Sequence, residues 1–186
     1  MIISYCFVDL RLTIFLNNID HYHHWTTLIA NQLNKLGNGL PYLIVAGLVF
    51  LGAVIKKNKA AAWKTAYFIL AIIISGLACD VLKVIAGRAR PYEFFTYGIY
   101  GFYFWKFTSN FWSLPSGHVV TISAIATAGY LLVRRFGWFF CLLVILVFCG
   151  RLMSRAHYLS DVVIGAYLGF IIAFWLYHWL SIWRRT

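Results

Sequence analysis

Ala66-Tyr-Phe-Ile-Leu-Ala-Ile-Ile-Ile-Ser-Gly-Leu-Ala-Cys-Asp80-Val-Leu-Lys83-Val84 is uncharged until its final turn and shows no alternation of polar with apolar residues. A run of this length approaches the roughly 20 residues that carry a helix across a bilayer. Lacking a period of two, it argues against a barrel strand, and the other arrangement that satisfies every backbone group in lipid is a helix bundle. Similar runs occupy residues 36–55, 114–133, 136–150 and 162–182, the run at 136–150 being short and expected to continue past Arg151. Composition agrees: 62% of the residues are hydrophobic and 11% charged, with mean hydropathy +0.78, whereas about a quarter are charged in soluble domains. The expected architecture is an all-α polytopic transmembrane helix bundle of five spans, a single integral-membrane domain over residues 1–186.

The amino-terminal segment, residues 1–35, reads differently. Residues 2–16 are apolar but short, and they carry Asp9 and Arg11, so an interfacial helix is expected, with a sixth span as the alternative. No basic region precedes this segment and no small-x-small site follows it, unlike a cleavable signal peptide. His21, Tyr22, His23, His24 and Trp25 cluster next to it. Contiguous histidines without supporting carboxylate or cysteine ligands read as an interfacial loop and not as a metal site. The aromatic stretch 92–112 fits a headgroup-level belt or a lipid-entry rim. Cys6, Cys79, Cys141 and Cys149 are scattered without CxxC spacing and read as packing thiols.

Charge sorts the connections. Lys56, Lys57, Lys59 and Lys64 precede the second span, Arg134 and Arg135 separate the third from the fourth, and Arg184 and Arg185 follow the fifth. Alternation puts these clusters on one side, which the positive-inside rule makes cytoplasmic, with the carboxyl terminus inside. The net charge of +11 is thus divided among loops and forms no basic stripe for nucleic acid; the basic loops suit topology and anionic headgroups.

The opposite side collects three polar stretches: Lys83-Val-Ile-Ala-Gly-Arg-Ala-Arg90-Pro91, Pro115-Ser116-Gly117-His118, and Arg151-Leu-Met-Ser-Arg-Ala-His157-Tyr-Leu-Ser-Asp161. Lys83, Arg90 and Arg151 offer charge and fixed N–H donors suited to a tetrahedral dianion, with phosphate the natural candidate. Pro91 pushes Arg90 out of helical geometry. Ser116 and Gly117 stand at the start of the third span, where free N–H groups and the helix dipole favour an anion. His157 and Asp161 are spaced i to i+4; on a shared helical face Asp161 would accept from one ring nitrogen and leave the other as an oriented lone pair. A buried hydrogen-bonded pair at a helix junction is the competing reading.

Together these stretches resemble the signature of the type 2 phosphatidic acid phosphatase superfamily, KxxxxxxRP, PSGH and SRxxxxxHxxxD. Lys83, Arg90 and Pro91 match the first motif, residues 115–118 the second in full, and Arg151, His157 and Asp161 the third. Gly150 departs from the pattern, which has serine there, and the missing hydroxyl is expected to affect support of Arg151. Arg155 is a cation that the pattern does not specify; it reads as a contact to a second phosphate or headgroup, or as a solvent-facing side chain. The resemblance implies a metal-independent lipid phosphatase with no cofactor, working through a phosphohistidine. His157 would attack phosphorus, Asp161 would orient its imidazole and His118 would protonate the leaving oxygen. Lys83, Arg90, Arg151, Ser116 and the Gly117 amide would hold the phosphoryl oxygens. The expected partner is a phosphorylated lipid in the bilayer, and family members of this size suggest bacterial envelope lipids: phosphatidylglycerophosphate, phosphatidic acid, undecaprenyl pyrophosphate or lipid A. The implied location is the bacterial cytoplasmic membrane with the site facing outward. Phosphotransfer to another lipid is the alternative within enzymes, and non-catalytic binding or transport the alternative outside them. Oligomeric state is open.

Overall fold

A computed structural model describes residues 3–22 and 25–183. His23, His24, Arg184 and Arg185 lie outside the described residues, as do the side chains of the rest of the 21–25 cluster. A π-helical turn, Ser4–Val8, leads into α1 (Asp9–Tyr22), α2 (Trp25–Leu36), α3 (Gly39–Ile55), α4 (Lys59–Ala86), the short α5 (Pro91–Tyr97), α6 (Gly117–Leu132), α7 (Gly137–Met153) and α8 (Leu159–Trp183). Helix starts follow local chemistry. Asn38 and Asn58 cap α3 and α4, their side chains accepting from Leu40 N and Ala61 N, which satisfies amides that lack an intrahelical partner. Gly87, at φ 55°, terminates α4 in the left-handed region, a conformation that costs glycine little.

The central helix is α6, packed against α8, α4 and α7. Its approach to α8 depends on Gly165 and Gly169. A Cβ on Gly169 would lie 2.2 Å from Val120 O, and one on Gly165 would lie 2.9 Å from Ser116 O. Small residues four apart bring two backbones together where lipid supplies no hydrophobic drive between helices. Ile72, Val119, Ile122, Ile125, Val147 and Val162 form the interior cluster beside this seam. Large apolar side chains such as Leu48, Leu51, Leu77, Trp175 and Trp179 face outward, the distribution of a protein whose surroundings are hydrocarbon.

Taking α2 and α3 as one run, four helical segments among the described residues are long and apolar enough to cross a membrane: Thr26–Ile55, Lys59–Ala86, Arg134–Met153 and Leu159–Ile182. The fifth expected span, α6, is shorter, at 16 residues, or about 24 Å at 1.5 Å per residue. The bundle is all-helical as expected, and the run at 136–150 does continue past Arg151, to Met153. The amino-terminal segment differs in one respect from a surface helix: Asp9 and Thr13 are buried, and α1 packs on α7 and α8. Asp9 turns inward because a cation waits there.

Candidate active site

Each polar stretch is fixed at the same end of the bundle by a helix terminus. Lys83 occupies the last turn of α4, where its Nζ lies 2.8 Å from Asp80 Oδ1. Beyond Gly87 the chain is held by the aromatic loop: Ala89 N donates to Gly101 O, Tyr103 N to Gly87 O and Arg90 N to Asn110 O. Residues 99–112 are therefore a folded cover on this motif as well as an aromatic rim. Arg90 is the N-cap of α5, extended at ψ 159° with Pro91 at the first helical position, as the restriction before proline predicts.

Ser116 caps α6, yet its hydroxyl makes no cap hydrogen bond and is buried without a partner among the described residues, although a serine in this position ordinarily accepts from the first turn. Its backbone N–H donates to Asp161 O at 3.1 Å, locking the start of α6 to that of α8. A Cβ on Gly117 would stand 3.1 Å from Lys83 Nζ, so the missing side chain is what lets the ammonium approach the helix terminus. His118 follows in the first turn, covered by the α2–α3 turn. A Cβ on Gly37 would fall 2.7 Å from His118 Cβ.

Arg151 closes α7 and is buried. Among the described residues its Nε, like that of Arg90, has no hydrogen-bond partner, and neither guanidinium has a carboxylate within ion-pair distance. Gly150 has a packing reason: a Cβ there would be 2.8 Å from Leu33 Cβ and 3.0 Å from Asn34 Oδ1. The close approach of α2 to α7 takes the space that a serine side chain would need.

His157 is 3% exposed and its Nδ1 lies 2.6 Å from Ser113 O. A carbonyl only accepts, so Nδ1 carries the hydrogen and the neutral ring presents its lone pair at Nε2. Burial first, then the charges of Arg151, Arg90 and Lys83, hold this imidazole well below the ordinary histidine value. The hydrogen bond expected between His157 and Asp161 is not made; Nδ1 and Oδ2 are 3.9 Å apart. The i to i+4 reading fails because α8 begins at Leu159, so His157 precedes the helix while Asp161 sits in its first turn. There Asp161 Oδ2 accepts from Tyr158 N at 2.9 Å, closing the helix start as a capping-box acid does. It also accepts from Ser113 Oγ at 2.6 Å. Ser113 thus stands between them, its hydroxyl on Asp161 and its carbonyl on His157.

Three contributors escaped the sequence reading: Arg88, Asp9 and Ser113. Arg88 is 1% exposed. Its Nη1 donates to Asp161 Oδ1 at 2.5 Å and Ser160 Oγ at 2.6 Å, and its Nη2 to Asp9 Oδ2 at 2.7 Å. The guanidinium lies 4.5 Å from the Tyr158 ring centroid and 5.2 Å from that of Tyr5. Asp9 also accepts from Ser160 N and Ser4 Oγ. Burial raises the Asp9 pKa, but the hydrogen bonds from Arg88 and Ser160 outweigh it and keep the carboxyl below its usual value. One signal was available. The chain has only five acidic residues, so a carboxylate in an apolar amino terminus needs a partner.

The assembled site holds a neutral imidazole with a free Nε2, a second histidine at a helix start, and three cations. Such a group of donors with unfilled valences suits a phosphoryl group. Residues 64–185 match the family model described as PAP2 superfamily, and the chain belongs to that superfamily. Over 126 residues it is 37% identical to a lipid A 1-phosphatase of Rhizobium johnstonii, covering 67% of this chain and 52% of that protein. It is 36% identical to a lipid A 1-phosphatase of Rhizobium etli over the same length, covering 54% of the relative. The aligned part is thus about half the length of these curated relatives. Among solved structures, LpxE of Aquifex aeolicus superposes with TM-score 0.69 at 21% identity over 96% of this chain and 99% of the other. The PAP2-type phosphatidylglycerolphosphate phosphatase of Bacillus subtilis superposes with TM-score 0.65 at 20% identity, covering 84% and 77%. These two likenesses establish a shared fold.

Proposed function

We propose that this chain hydrolyses a lipid phosphomonoester or lipid pyrophosphate at the outer face of the cytoplasmic membrane, through a phosphohistidine on His157. The observation that carries the reading is the tautomer: Nδ1 is held on Ser113 O at 2.6 Å, which directs the Nε2 lone pair at an incoming phosphorus. In the first step the Nε2–P bond forms and the P–O bond to the lipid breaks, while His118 passes a proton to the departing oxygen. In the second, water attacks phosphorus with His118 accepting its proton, the N–P bond breaks and inorganic phosphate leaves. Lys83, Arg90, Arg151, Ser116 Oγ and the Gly117 N–H stabilise the peripheral oxygens, where phosphoryl transfer concentrates charge. Asp161 acts on His157 through Ser113.

Family membership and the lipid A 1-phosphatase activity for which the Rhizobium relatives are named support a phosphorylated lipid as substrate. The positive loops support an outward-facing site. The short α6 supports entry of a headgroup, because a helix of about 24 Å starts below the surface of a hydrocarbon core of about 30 Å. The test is phosphate release in EDTA by purified wild type and His157→Ala, over phosphatidylglycerophosphate, phosphatidic acid, undecaprenyl pyrophosphate and lipid A. Release by wild type alone, with an acid-labile phosphoenzyme trapped during turnover, is expected. Wild-type-like release by His157→Ala would overturn the mechanism, and a phosphorylated acceptor lipid in place of inorganic phosphate would make the reaction a transfer.

A further inference from the structure

Between α1, α5 and the end of α7 lies a cavity of about 510 Å3 lined by Asn17, Tyr92, Phe95, Thr96, Ser154 and Arg155. It differs in chemistry from the other large cavities, which are lined mainly by apolar side chains on the flanks of the bundle. Here three hydroxyls, a carboxamide and a guanidinium face a common space, with two aromatic rings beside them. Volumes of roughly 300–1,000 Å3 with a few convergent polar groups are typical of small-molecule sites.

Its position follows from the chain. Tyr92 is two residues beyond Arg90, and Ser154 and Arg155 fall between Arg151 and His157. Two residues span at most about 7 Å, so the backbone of the cavity wall adjoins that of Arg90 and that of His157. That places the cavity within reach of a group joined to a phosphate on those residues. The far wall comes from α1, whose Asn17 Oδ1 accepts from Arg155 Nη1 at 3.3 Å.

The electrostatics choose the class of ligand. Arg155 stands in the left-handed region at φ 52°, and its Nη1 lies 2.7 Å from Asp20 Oδ2. Asp20 is fixed in turn by Thr26 and Thr27, whose hydroxyls donate to its Oδ1. The guanidinium is therefore already compensated, in contrast to Arg90 and Arg151, and a second phosphate would have to displace a carboxylate. What the cavity offers instead is neutral hydrogen-bond capacity: the Thr96 and Tyr92 hydroxyls donate and accept, Ser154 Oγ, which donates to Arg151 O at 3.2 Å, can still accept, and the Asn17 amide adds donors. Exposed Tyr92 and Phe95 supply amphipathic and apolar faces to the same space. Hydroxyl groups on a compact carbon frame match that set.

We propose that this cavity binds the hydroxyl-bearing part of the lipid headgroup, a sugar or glycerol unit attached through the scissile phosphate, and thereby favours lipids whose leaving group carries hydroxyls. The inference rests on the phosphohydrolase reading and narrows it. Lipid A and phosphatidylglycerophosphate have such leaving groups. In phosphatidic acid and undecaprenyl pyrophosphate the position beyond the phosphate carries no hydroxyl.

Kinetics on these four lipids in detergent micelles test it, comparing wild type with the Thr96→Val/Tyr92→Ala double variant. The variant is expected to lower kcat/KM on lipid A, on phosphatidylglycerophosphate or on both by at least tenfold more than on phosphatidic acid. Which of the two drops distinguishes a sugar site from a glycerol site. An equal fall on all four lipids, or no change on either hydroxylated lipid, would overturn the proposal. A binding measurement makes the test independent of turnover: isothermal titration calorimetry with glucosamine 1-phosphate, glycerol 1-phosphate and inorganic phosphate. At least one of the two esters should bind tenfold tighter than inorganic phosphate to wild type and lose that advantage in the double variant. Equal affinities would remove the cavity from recognition while leaving the phosphatase reading intact. Tight ester binding without phosphate release from any lipid would do the reverse.

Discussion

Arg88 and Arg90 stand two residues apart in one loop beside the same helix end, the first buried and the second half-buried, yet they are built for opposite tasks. Arg88 is gripped by Asp9 and Asp161 and enclosed by aromatic rings. Arg90 has no carboxylate within ion-pair distance among the described residues, and burial pulls its pKa below the ordinary arginine value. A buried cation with matched carboxylates is a structural tie; one without them is poised for an anion. The difference lies in what the rest of the fold delivers. Asp9 comes from the amino-terminal helix and Asp161 from the start of α8, and both reach Arg88.

The comparison breaks most sharply at Arg88. Arg88→Met leaves two buried carboxylates uncompensated, and loss of one partner of a buried pair costs about 3–5 kcal/mol. The expected result is loss of the monodisperse, detergent-extracted protein and of thermal stability. A variant as stable as wild type would show that the tie does not hold the amino-terminal helix. Arg90→Met should do the opposite: unchanged or higher melting temperature, with kcat/KM on a lipid phosphate reduced by about 10²–10³, the scale for removing a donor from a charge-stabilising site. If Arg90→Met instead unfolds the protein, the division between the two arginines fails.

Ser113→Ala sharpens it. The His157 contact is to the Ser113 backbone carbonyl and survives, while Asp161 loses a hydrogen bond of the charged kind, about 1.5–3 kcal/mol. A drop in kcat with little change in KM is expected; unchanged kcat would separate Asp161 from the imidazole altogether. Gly150→Ser reads the helix contact: restoring the family's serine should destabilise by about 1–3 kcal/mol through overpacking against Leu33 and Asn34. A gain in melting temperature or activity would mean that the hydroxyl is missed.

The smallest effect is in pH. His157 has a folded pKa below its unfolded value near 6.5, so the unfolded chain takes up the proton first. Its contribution to stability is complete above pH 6.5 and is lost as pH falls from there toward the folded value. The acid limb of kcat/KM for the free enzyme should accordingly lie below pH 6.5. An acid limb at or above that value would mean that the ring is charged at rest.

Much of this was legible in the chain. The runs at 66–84 and 162–182 marked helices α4 and α8 because lipid permits few backbone arrangements and demands apolar length. The start of α6 at Gly117 was readable from Pro115-Ser116-Gly117 at the head of an apolar run. The pairing of His157 with Asp161 was misread, because a periodicity of four means contact only inside a helix, and the helix begins between them. Arg88 lay in plain view inside the first motif, but nothing local distinguishes it from Arg90.

The sequence by itself determined the membrane setting, the helical class, the order of the polar stretches and the residue types they bring to the proposed site. These follow from hydropathy, helix-terminus chemistry and residue type, all local quantities. Tertiary structure alone decided which arginine is compensated, that Ser113 stands between His157 and Asp161, that Gly150 yields its space to α2, and that a polar cavity opens between α1, α5 and the end of α7. Each depends on which distant group arrives within about 3 Å of another, the range over which a hydrogen bond acts, and sequence spacing does not encode that distance across separate helices.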